Sequence, residues 1–208
     1  MYEREKQQLI DCARAMERHG LVVLSGGNVS MRMPCGNFLV TPSAMSYDTM
    51  TIDDIVLIDG ETRTVEGRRR PTSDKHAVLY MFRHMPEVNV ILHTHQPYAT
   101  AVGLVSDRLP ANLVTVIDEL HGEVKVAPFT PSSDEGMGVS AVEYAGDALA
   151  VILKHHGVLA YGKDIEQEEA SKTNLAALAS GRTIPELTAE QIADESAERG
   201  YYGQPDEP

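Results

Sequence analysis

The sequence has few cationic, aromatic and sulfhydryl side chains, and it has no long apolar run. Lysine and arginine number 18 against 31 aspartate and glutamate, which gives a formal net charge of −13, and tryptophan is absent. Nucleic-acid surfaces need clustered lysine and arginine, so this excess of acid argues against a nucleic-acid partner. The one basic cluster, Arg68-Arg69-Arg70, precedes Pro71, where a solvated turn is favoured over a role in binding an anion or a neighbouring subunit.

Two cysteines are too few and too far apart for a disulfide framework or a cysteine metal site. Cys12 falls in a helical stretch and Cys35 in a Pro-Cys-Gly turn, so both are predicted to be free thiols. No apolar run is long enough to span a bilayer. The opening residues look like a charged helix start rather than a signal peptide. We therefore expect a soluble, cytoplasmic protein with no membrane partner.

Hydrophobic periodicity and turn residues predict an alternation of helices and strands without repeats, linkers or low-complexity segments. Helices are predicted for residues 3–19, 74–84, from 98 onward, 140–149, 165–180 and 188–199, and strands for 21–24, 29–33, 38–41, 55–59, 88–95, 113–117, 124–129 and 150–161. Several strands are joined by tight turns, which favours an α/β fold with a mixed or mainly antiparallel central sheet flanked by helices. We expect one domain over residues 1–208, with a short C-terminal tail at 200–208.

Two histidine clusters at strand positions suggest a metal site. His93-Thr94-His95 ends an apolar run, and alternate residues of a strand share a face, so both imidazoles can reach one ion. His155-His156 interrupts a second apolar run, residues 150–161. If that run is one strand neighbouring the first, one of the pair can complete a three-histidine set while the other faces away. Spacing leaves open which of the two does so.

Three segments rich in glycine and hydroxyl side chains have the composition of an anion site. They are Ser25-Gly26-Gly27-Asn28, Thr41-Pro42-Ser43-Ala44 and Pro71-Thr72-Ser73-Asp74, and together they are named the anion loops. Tight glycine turns can direct several backbone amides at one point, and a helix start favours negative charge. Taken singly, each segment is weak evidence, because Gly-Gly-Asn is usually only a turn and Thr-Ser-Asp is usually only a helix cap. No Lys-Ser/Thr follows the glycines, which excludes a Walker-type nucleotide site.

These motifs, in this order, resemble the class II aldolase and epimerase family, which includes the adducin head domain. The resemblance runs from about Ile10 to Gln204 and rests on the anion loops, His93-Thr94-His95, His156-Gly157 and Tyr201-Tyr202-Gly203-Gln204. It implies a three-layer α/β/α fold with a central, mainly antiparallel sheet. It also implies a phosphorylated ketose as substrate and a homotetramer with active sites at the subunit interfaces.

The resemblance further implies which residues bind the metal and the phosphate. The metal ligands would be His93, His95 and His156, with His155 on the opposite face, and the ion would be zinc or another divalent metal. The substrate phosphate would be bound by Gly27, Asn28, Ser43, Ala44, Thr72 and Ser73. Three neutral histidines leave zinc its full charge and an open coordination position, which suits Lewis-acid aldol chemistry without a lysine Schiff base.

Three further residues match positions to which the family gives catalytic roles. Asp74 occupies the position of a proton-transfer group, which is glutamate in the aldolases and aspartate in the epimerases. Asp118 falls where the epimerases place a catalytic acid, and its alternative is a helix-capping aspartate. Tyr202 matches a terminal tyrosine that serves both reactions, and its alternative is a frayed tail.

The sequence leaves the choice between two reactions open. Asp74 and Asp118 favour L-ribulose-5-phosphate 4-epimerase chemistry, whereas the short stretch from Phe129 to Lys154 and the residues Gln96-Pro97-Tyr98 are unlike the epimerases. The balance favours an aldolase resembling L-fuculose-1-phosphate aldolase, which would release dihydroxyacetone phosphate and an aldehyde. A non-catalytic, adducin-like binding domain is disfavoured because the three histidines and Asp74 are all present. A structural zinc site is disfavoured because such sites usually have four protein ligands, often cysteine.

Overall fold

A computed structural model describes residues 1–162 and 187–198. The helices of this part are α1 (Glu3–Arg18), α2 (Lys75–His84), α3 (Pro97–Val105), α4 (Val114–Leu120), α5 (Glu135–Ala145) and α6 (Ala189–Glu198), with a short 3-10 turn at Ile52–Asp54. The strands are β1 (Asn28–Arg32), β2 (Phe38–Val40), β3 (Val56–Ile58), β4 (Thr64–Glu66), β5 (Val90–Thr94), β6 (Arg108–Leu109), β7 (Val124–Ala127), β8 (Ala150–Leu153) and β9 (Gly157–Gly162).

The strands form one sheet in the order β4-β3-β2-β1-β5-β9-β8-β7-β6. Every neighbouring pair is antiparallel except β7 and β8, which run parallel. The expectation of a mainly antiparallel sheet is therefore confirmed. Strand β5 lies at the centre, with His93 opposite Asn28 of β1 on one side and opposite Leu159 of β9 on the other.

Helices cover both faces of the sheet, which confirms the three-layer arrangement. Ile91 packs with α2 and α5 in one core, while its neighbour Leu92 packs with α1 in a second core on the opposite face. A third core lies beside the second and joins α3 and α4 to strands β7, β8 and β9. The alternation of Ile91 and Leu92 between layers is the ordinary consequence of strand geometry.

Arg32 fixes the C-terminal end of α2. Its guanidinium donates to the backbone carbonyls of Phe82, Met85 and Val88, and it lies over the Phe82 ring at 5.1 Å. The Phe82 carbonyl belongs to the last turn of α2 and lacks a partner within the helix, so a partly buried cation there satisfies it and complements the helix dipole. With that end held, the other end of α2 presents Asp74 to the sheet.

Two predicted strands are wrong. Residues 113–117 form the start of α4, in which the adjacent residues Val116 and Ile117 are both buried, as a helix allows and an alternating strand does not. Residues 21–24 form turns and bends, with Val23 and Leu24 largely exposed and Leu24 at φ 58°. In the first segment the packing of Val116 and Ile117 overrode a β-branched composition, and in the second an apolar composition did not produce a strand.

The run of residues 150–161 is not one strand. It forms the hairpin of β8 and β9, in which Leu153 pairs with Gly157 and the three residues between them form the turn. His155 has φ 61° there, so His155 and His156 are turn residues and strand alternation does not separate them.

The remaining predictions vary in accuracy. The helix predicted at 140–149 lies earlier, as α5, and strands β4 and β6 were not predicted. The predicted helix at 165–180 and the predicted tail at 200–208 lie outside the described residues. Within the described ranges, no helix combines the length and apolar character required to cross a bilayer.

Candidate metal centre

Three imidazoles converge at the end of the central strand. His93 lies in β5, His95 follows directly after it, and His156 lies in the turn between β8 and β9. The Nε2 atom of His93 is 3.2 Å from the Nε2 atoms of both His95 and His156. One ligand atom from each residue lies within 4.8 Å of the others. These three residues are named the histidine cluster.

The spacing of the ring nitrogens fits one tetrahedral ion. Nitrogen ligands about 2.0–2.1 Å from zinc, at tetrahedral angles, are separated from each other by about 3.4 Å. The two 3.2 Å separations around His93 are close to that value. The histidine cluster could therefore hold a divalent metal through three imidazoles, with a further coordination position available to a substrate or water.

The other ring nitrogen of His93 sets the tautomer of this residue. Its Nδ1 lies 3.1 Å from the backbone carbonyl of Val158, and a carbonyl can only accept. Nδ1 therefore carries the proton and donates it, which leaves the lone pair of Nε2 available to a metal. His93 is 1% exposed, so its ring is held in this orientation by the surrounding core.

Burial favours the neutral form of each histidine in the cluster. It lowers the pKa of His93 to about 4, an effect that the nearby Asp74 carboxylate opposes. Burial likewise lowers the pKa of His95 and of His156. Metal binding needs neutral imidazoles, so the cluster is in the required protonation state at neutral pH.

Asp74 lies beside the cluster and is turned away from its own helix. It is the residue before α2, yet its side chain makes no capping hydrogen bond to the helix amides. Its Oδ2 instead accepts from the Asn28 side-chain amide at 2.8 Å and lies 4.0 Å from His93 Nε2. The interpretation of this segment as an ordinary helix cap is therefore wrong for the Asp74 side chain.

Backbone pairing joins the second and third anion loops. Thr72 N donates to Thr41 O at 3.0 Å, Ser43 N donates to Arg70 O at 2.9 Å, and Pro42 forms a β-bridge with Pro71.

Side chains connect both loops to the first. Val29 N, which directly follows the first loop, donates to Thr41 Oγ1 of the second at 3.2 Å, and within the third loop Asp74 N donates to Thr72 Oγ1 at 3.3 Å. Together with the contact between Asn28 and Asp74, these bonds bring all three loops to the edge of the histidine cluster.

The first anion loop packs directly on the histidines. Gly27 has φ 72°, and a Cβ added there would lie 2.3 Å from the carbonyl oxygen of His93. A Cβ added to Gly26 would lie 2.9 Å from His95 Nδ1. Glycine is therefore required at Gly27 by both conformation and space. Ala44 and Ser73 are two further residues predicted to bind phosphate, and they follow Ser43 and Thr72 directly. Ala44 has φ 54°, and Ser73 Oγ lies 3.4 Å from Asp74 Oδ1.

Asp118 is the other predicted catalytic residue that the structure describes, and it is not joined to the cluster. Asp118 lies inside α4, whose N-cap is Leu113, so the prediction that it caps a helix is wrong. Its Oδ1 is buried without a hydrogen-bond partner among the described residues, and no described contact connects it to the histidines. His155 is exposed and contacts the Phe129 ring. Tyr202 lies outside the described residues.

Two residues of the basic cluster form ion pairs. Arg69 Nε lies 2.7 Å from Asp54 Oδ1, and Arg68 lies 4.0 Å from Asp53. This agrees with the solvated turn predicted at that position.

Both Cys12 and Cys35 are free thiols, as predicted.

Two contributions to the site were not visible in the sequence. Asn28 was expected to bind phosphate, and its contact with Asp74 was not foreseen. Tyr47, which lies after the second anion loop, donates to the carbonyls of Gly26 and Gly27. In the sequence, the one signal for Tyr47 was its place as an aromatic residue close to the second anion loop.

Known proteins are similar to this chain in sequence and in fold. The profile of the class II aldolase and adducin N-terminal domain family matches residues 7–192. L-ribulose-5-phosphate 4-epimerase UlaF of Salmonella paratyphi B is 31% identical, over 78% of this chain and 76% of its own. A solved L-fuculose 1-phosphate aldolase superposes with a TM-score of 0.85 at 26% identity, covering 93% of this chain and 94% of its own.

A more distant structure supports the fold alone. An aldolase II superfamily protein from Pseudomonas syringae superposes with a TM-score of 0.81 at 20% identity, covering 97% of this chain and 86% of its own. With the family profile spanning most of the sequence and the fold shared with these structures, the chain belongs to the class II aldolase and adducin N-terminal domain family.

Proposed function

We propose that this enzyme cleaves a phosphorylated ketose by a metal-dependent retro-aldol reaction, releasing dihydroxyacetone phosphate and an aldehyde. The observation that carries the proposal is the convergence of three imidazole nitrogens beside the Asp74 carboxylate. Family membership and the superposition on an L-fuculose 1-phosphate aldolase support the same reaction class.

The anion loops would bind the substrate phosphate. Gly27 N–H has no acceptor among the described residues, so it is available to a phosphate oxygen. The hydroxyls of Ser43, Thr72 and Ser73, the side chain of Asn28 and the backbone of Ala44 would supply further contacts. Because the protein carries a net charge of −13, the attraction must come from these local dipoles and from the metal.

The histidine cluster would hold zinc or another divalent ion. Three imidazoles fit it by distance and by protonation state. When bound, the ion would supply a Lewis acid that polarises the substrate carbonyl and its adjacent hydroxyl. The histidines contribute no charge of their own, so the full charge of the ion remains available.

Asp74 would be the proton-transfer group of the retro-aldol reaction. Its Oδ2 is 4.0 Å from His93 Nε2, which puts it beside the position that a bound metal would take. Asn28 donates to the same oxygen and orients it. A positioned acid or base of this kind contributes about a hundred- to ten-thousandfold in rate. Asp118 and Tyr202 would act from an adjoining subunit of a homotetramer, as the family resemblance implies.

A second candidate is L-ribulose-5-phosphate 4-epimerase activity. The 31% identical relative has that name. Asp74 also matches the aspartate of the epimerases rather than the glutamate of the aldolases. Epimerisation would begin with the same cleavage and would rejoin the fragments after the aldehyde has rotated, so one site can serve either outcome.

The test offers the zinc-loaded protein L-fuculose 1-phosphate and L-ribulose 5-phosphate separately. We expect dihydroxyacetone phosphate from the first and no xylulose 5-phosphate from the second. Xylulose 5-phosphate alone would establish the epimerase instead. Turnover of neither sugar, by a protein that retains its metal, would contradict both candidates.

A further inference from the structure

Tyr47 holds the first anion loop through two backbone carbonyls. Its hydroxyl lies 3.0 Å from Gly26 O and 2.9 Å from Gly27 O, and both are carbonyl oxygens that only accept. The side chain is 2% exposed. Burial raises the pKa of the Tyr47 hydroxyl, so it keeps its proton at neutral pH and shares it between the two carbonyls.

The position of the Tyr47 hydroxyl is itself fixed by α1. Arg14 Nε donates to Tyr47 O at 3.1 Å, and its Nη2 donates to Asp48 O at 3.2 Å and Met50 O at 3.0 Å. One planar guanidinium therefore fastens three carbonyls of the segment that carries Tyr47 to a helix of the second core.

The hydroxyl determines where the Gly27 amide points. All described peptide bonds are trans, so the Gly26 carbonyl and the Gly27 N–H point in opposite directions across one peptide plane. The carbonyl points toward Tyr47, and the N–H therefore points away from it. The next peptide is held similarly, because its carbonyl also contacts Tyr47 and Asn28 pairs with His93 in the sheet.

The histidines also limit movement of the same turn. An added Cβ at Gly27 would overlap the carbonyl oxygen of His93, and one at Gly26 would contact the His95 ring. The turn is therefore in contact both with the histidines and with the Tyr47 hydroxyl. Without the hydroxyl, two partly buried carbonyls would lose their donor, and each peptide plane could rotate toward other partners.

We propose that Tyr47 is a positioning residue of the anion site. It acts by orienting the Gly27 N–H toward an oxygen of the substrate phosphate. The inference rests on the proposed phosphate-binding role of Gly27. It assigns Tyr47 an effect on anion affinity and none on metal binding, because its hydroxyl contacts the glycine carbonyls and not the imidazoles.

The test compares Tyr47→Phe with Tyr161→Phe. Both remove one buried hydroxyl, but the Tyr161 hydroxyl has no hydrogen-bond partner among the described residues. In calorimetric titrations of the zinc-loaded proteins, Tyr47→Phe should bind inorganic phosphate and dihydroxyacetone phosphate roughly three- to tenfold more weakly, the equivalent of one hydrogen bond. Its zinc content should not change. Tyr161→Phe should bind both anions like the wild type.

Steady-state kinetics separate positioning from a general structural role. Tyr47→Phe should raise KM for the ketose phosphate by the same factor while changing kcat less. A lower melting temperature with unchanged anion affinity and unchanged KM would overturn the proposal. If Tyr47→Phe does not fold, Arg14→Gln decides, since it releases the segment without altering the tyrosine. A smaller weakening of phosphate binding supports the proposal, and unchanged binding overturns it.

Failure of the proposed function gives a different pattern. A wild-type protein that binds inorganic phosphate but cleaves neither sugar phosphate contradicts the reaction, while the two tyrosine variants still test Tyr47. A wild-type protein that binds neither anion at millimolar concentration overturns the anion site and the role of Tyr47 together. Equal anion binding by wild type and Tyr47→Phe overturns the Tyr47 inference alone.

Discussion

The histidine cluster and the anion loops lie side by side but are positioned in different ways. His93 and His95 come from the end of strand β5, and His156 comes from the turn that joins β8 to β9, the strand that pairs with β5. Backbone register alone therefore brings the imidazoles together. The second and third anion loops pair through their backbones. The first loop and its link to Asp74 depend instead on side-chain contacts between distant residues, those of Tyr47 with Gly26 and Gly27 and of Asn28 with Asp74.

The comparison separates two kinds of defect. A change in the histidine cluster should remove the metal and leave the loops in place. A change in the side chains that hold the loops should weaken substrate binding or proton transfer and leave the metal in place. The following predictions test this separation, from the largest expected effect to the smallest.

Replacing His156 should have the largest effect. His156→Asn removes one of three ligands, and we expect metal content and activity to fall to background, beyond the ten- to hundredfold loss typical of outer-shell changes. The control is His155→Asn, because asparagine tolerates the left-handed conformation that His155 adopts. It should keep both metal and activity. Elemental analysis and turnover assays decide, and the reverse pattern would contradict the assignment.

Asp74→Asn should reduce turnover by about a hundred- to ten-thousandfold, because it removes the proton-transfer group. Metal content should persist, since the substituted amide oxygen can still accept from Asn28. The control is Asp134→Ala, because Asp134 does cap its helix by accepting from Gly136 N. That change should cost about 1 kcal/mol of stability and leave turnover intact. Equal turnover by wild type and Asp74→Asn would remove Asp74 from the chemistry.

Gly27→Ala should damage both regions at once, because the added Cβ would overlap the His93 carbonyl at a left-handed backbone position. Gly36→Ala is the matched control, with φ 85° and no atom within 4 Å of an added Cβ. We expect the control to lose about 1–2 kcal/mol from the backbone alone. Gly27→Ala should lose about 1–3 kcal/mol more from the overlap. Urea unfolding measures both, and equal losses would show that the turn is not pressed against the strand.

Acidification should destabilise the metal-free protein through His93. The folded state holds the pKa of His93 at about 4, below the value of about 6.5 in an unfolded chain. The unfolded state therefore takes up a proton first as the pH falls. The stabilisation is complete above pH 6.5 and is lost toward pH 4, by at most about 1.4 kcal/mol per pH unit.

Unfolding curves of the chelated protein across this range test the prediction. The variant His93→Asn should show a flatter dependence on pH than the wild type. Equal slopes for the two proteins would mean that His93 is not the group responsible.

The sequence predicted those parts of the molecule that depend on local pattern. Strand alternation indicated that His93 and His95 share a face, and helical spacing gave the buried positions Leu9, Ile10 and Met16 of α1. The same rules failed at residues 113–117, where Val116 and Ile117 pack in a helix, because composition alone does not report tertiary contacts.

In the candidate site, too, the sequence predicted what depends on local motifs and missed what depends on distant contacts. The metal residues and the composition of the anion loops follow from motifs, whereas the selection of His156 over His155 required the family resemblance. The assumed reason, alternation along one strand, is replaced by a hairpin turn. The contacts of Tyr47 and Asn28 join residues 20 and 46 positions from their partners, respectively, and no local pattern encodes such pairs.

The most direct test of the account is an X-ray absorption spectrum of the purified protein at the edge of its bound metal. The account predicts one ion per chain with three imidazole nitrogens at about 2.0–2.1 Å. A sulfur ligand at about 2.3 Å, or fewer than three imidazoles, would contradict the histidine cluster as the metal centre.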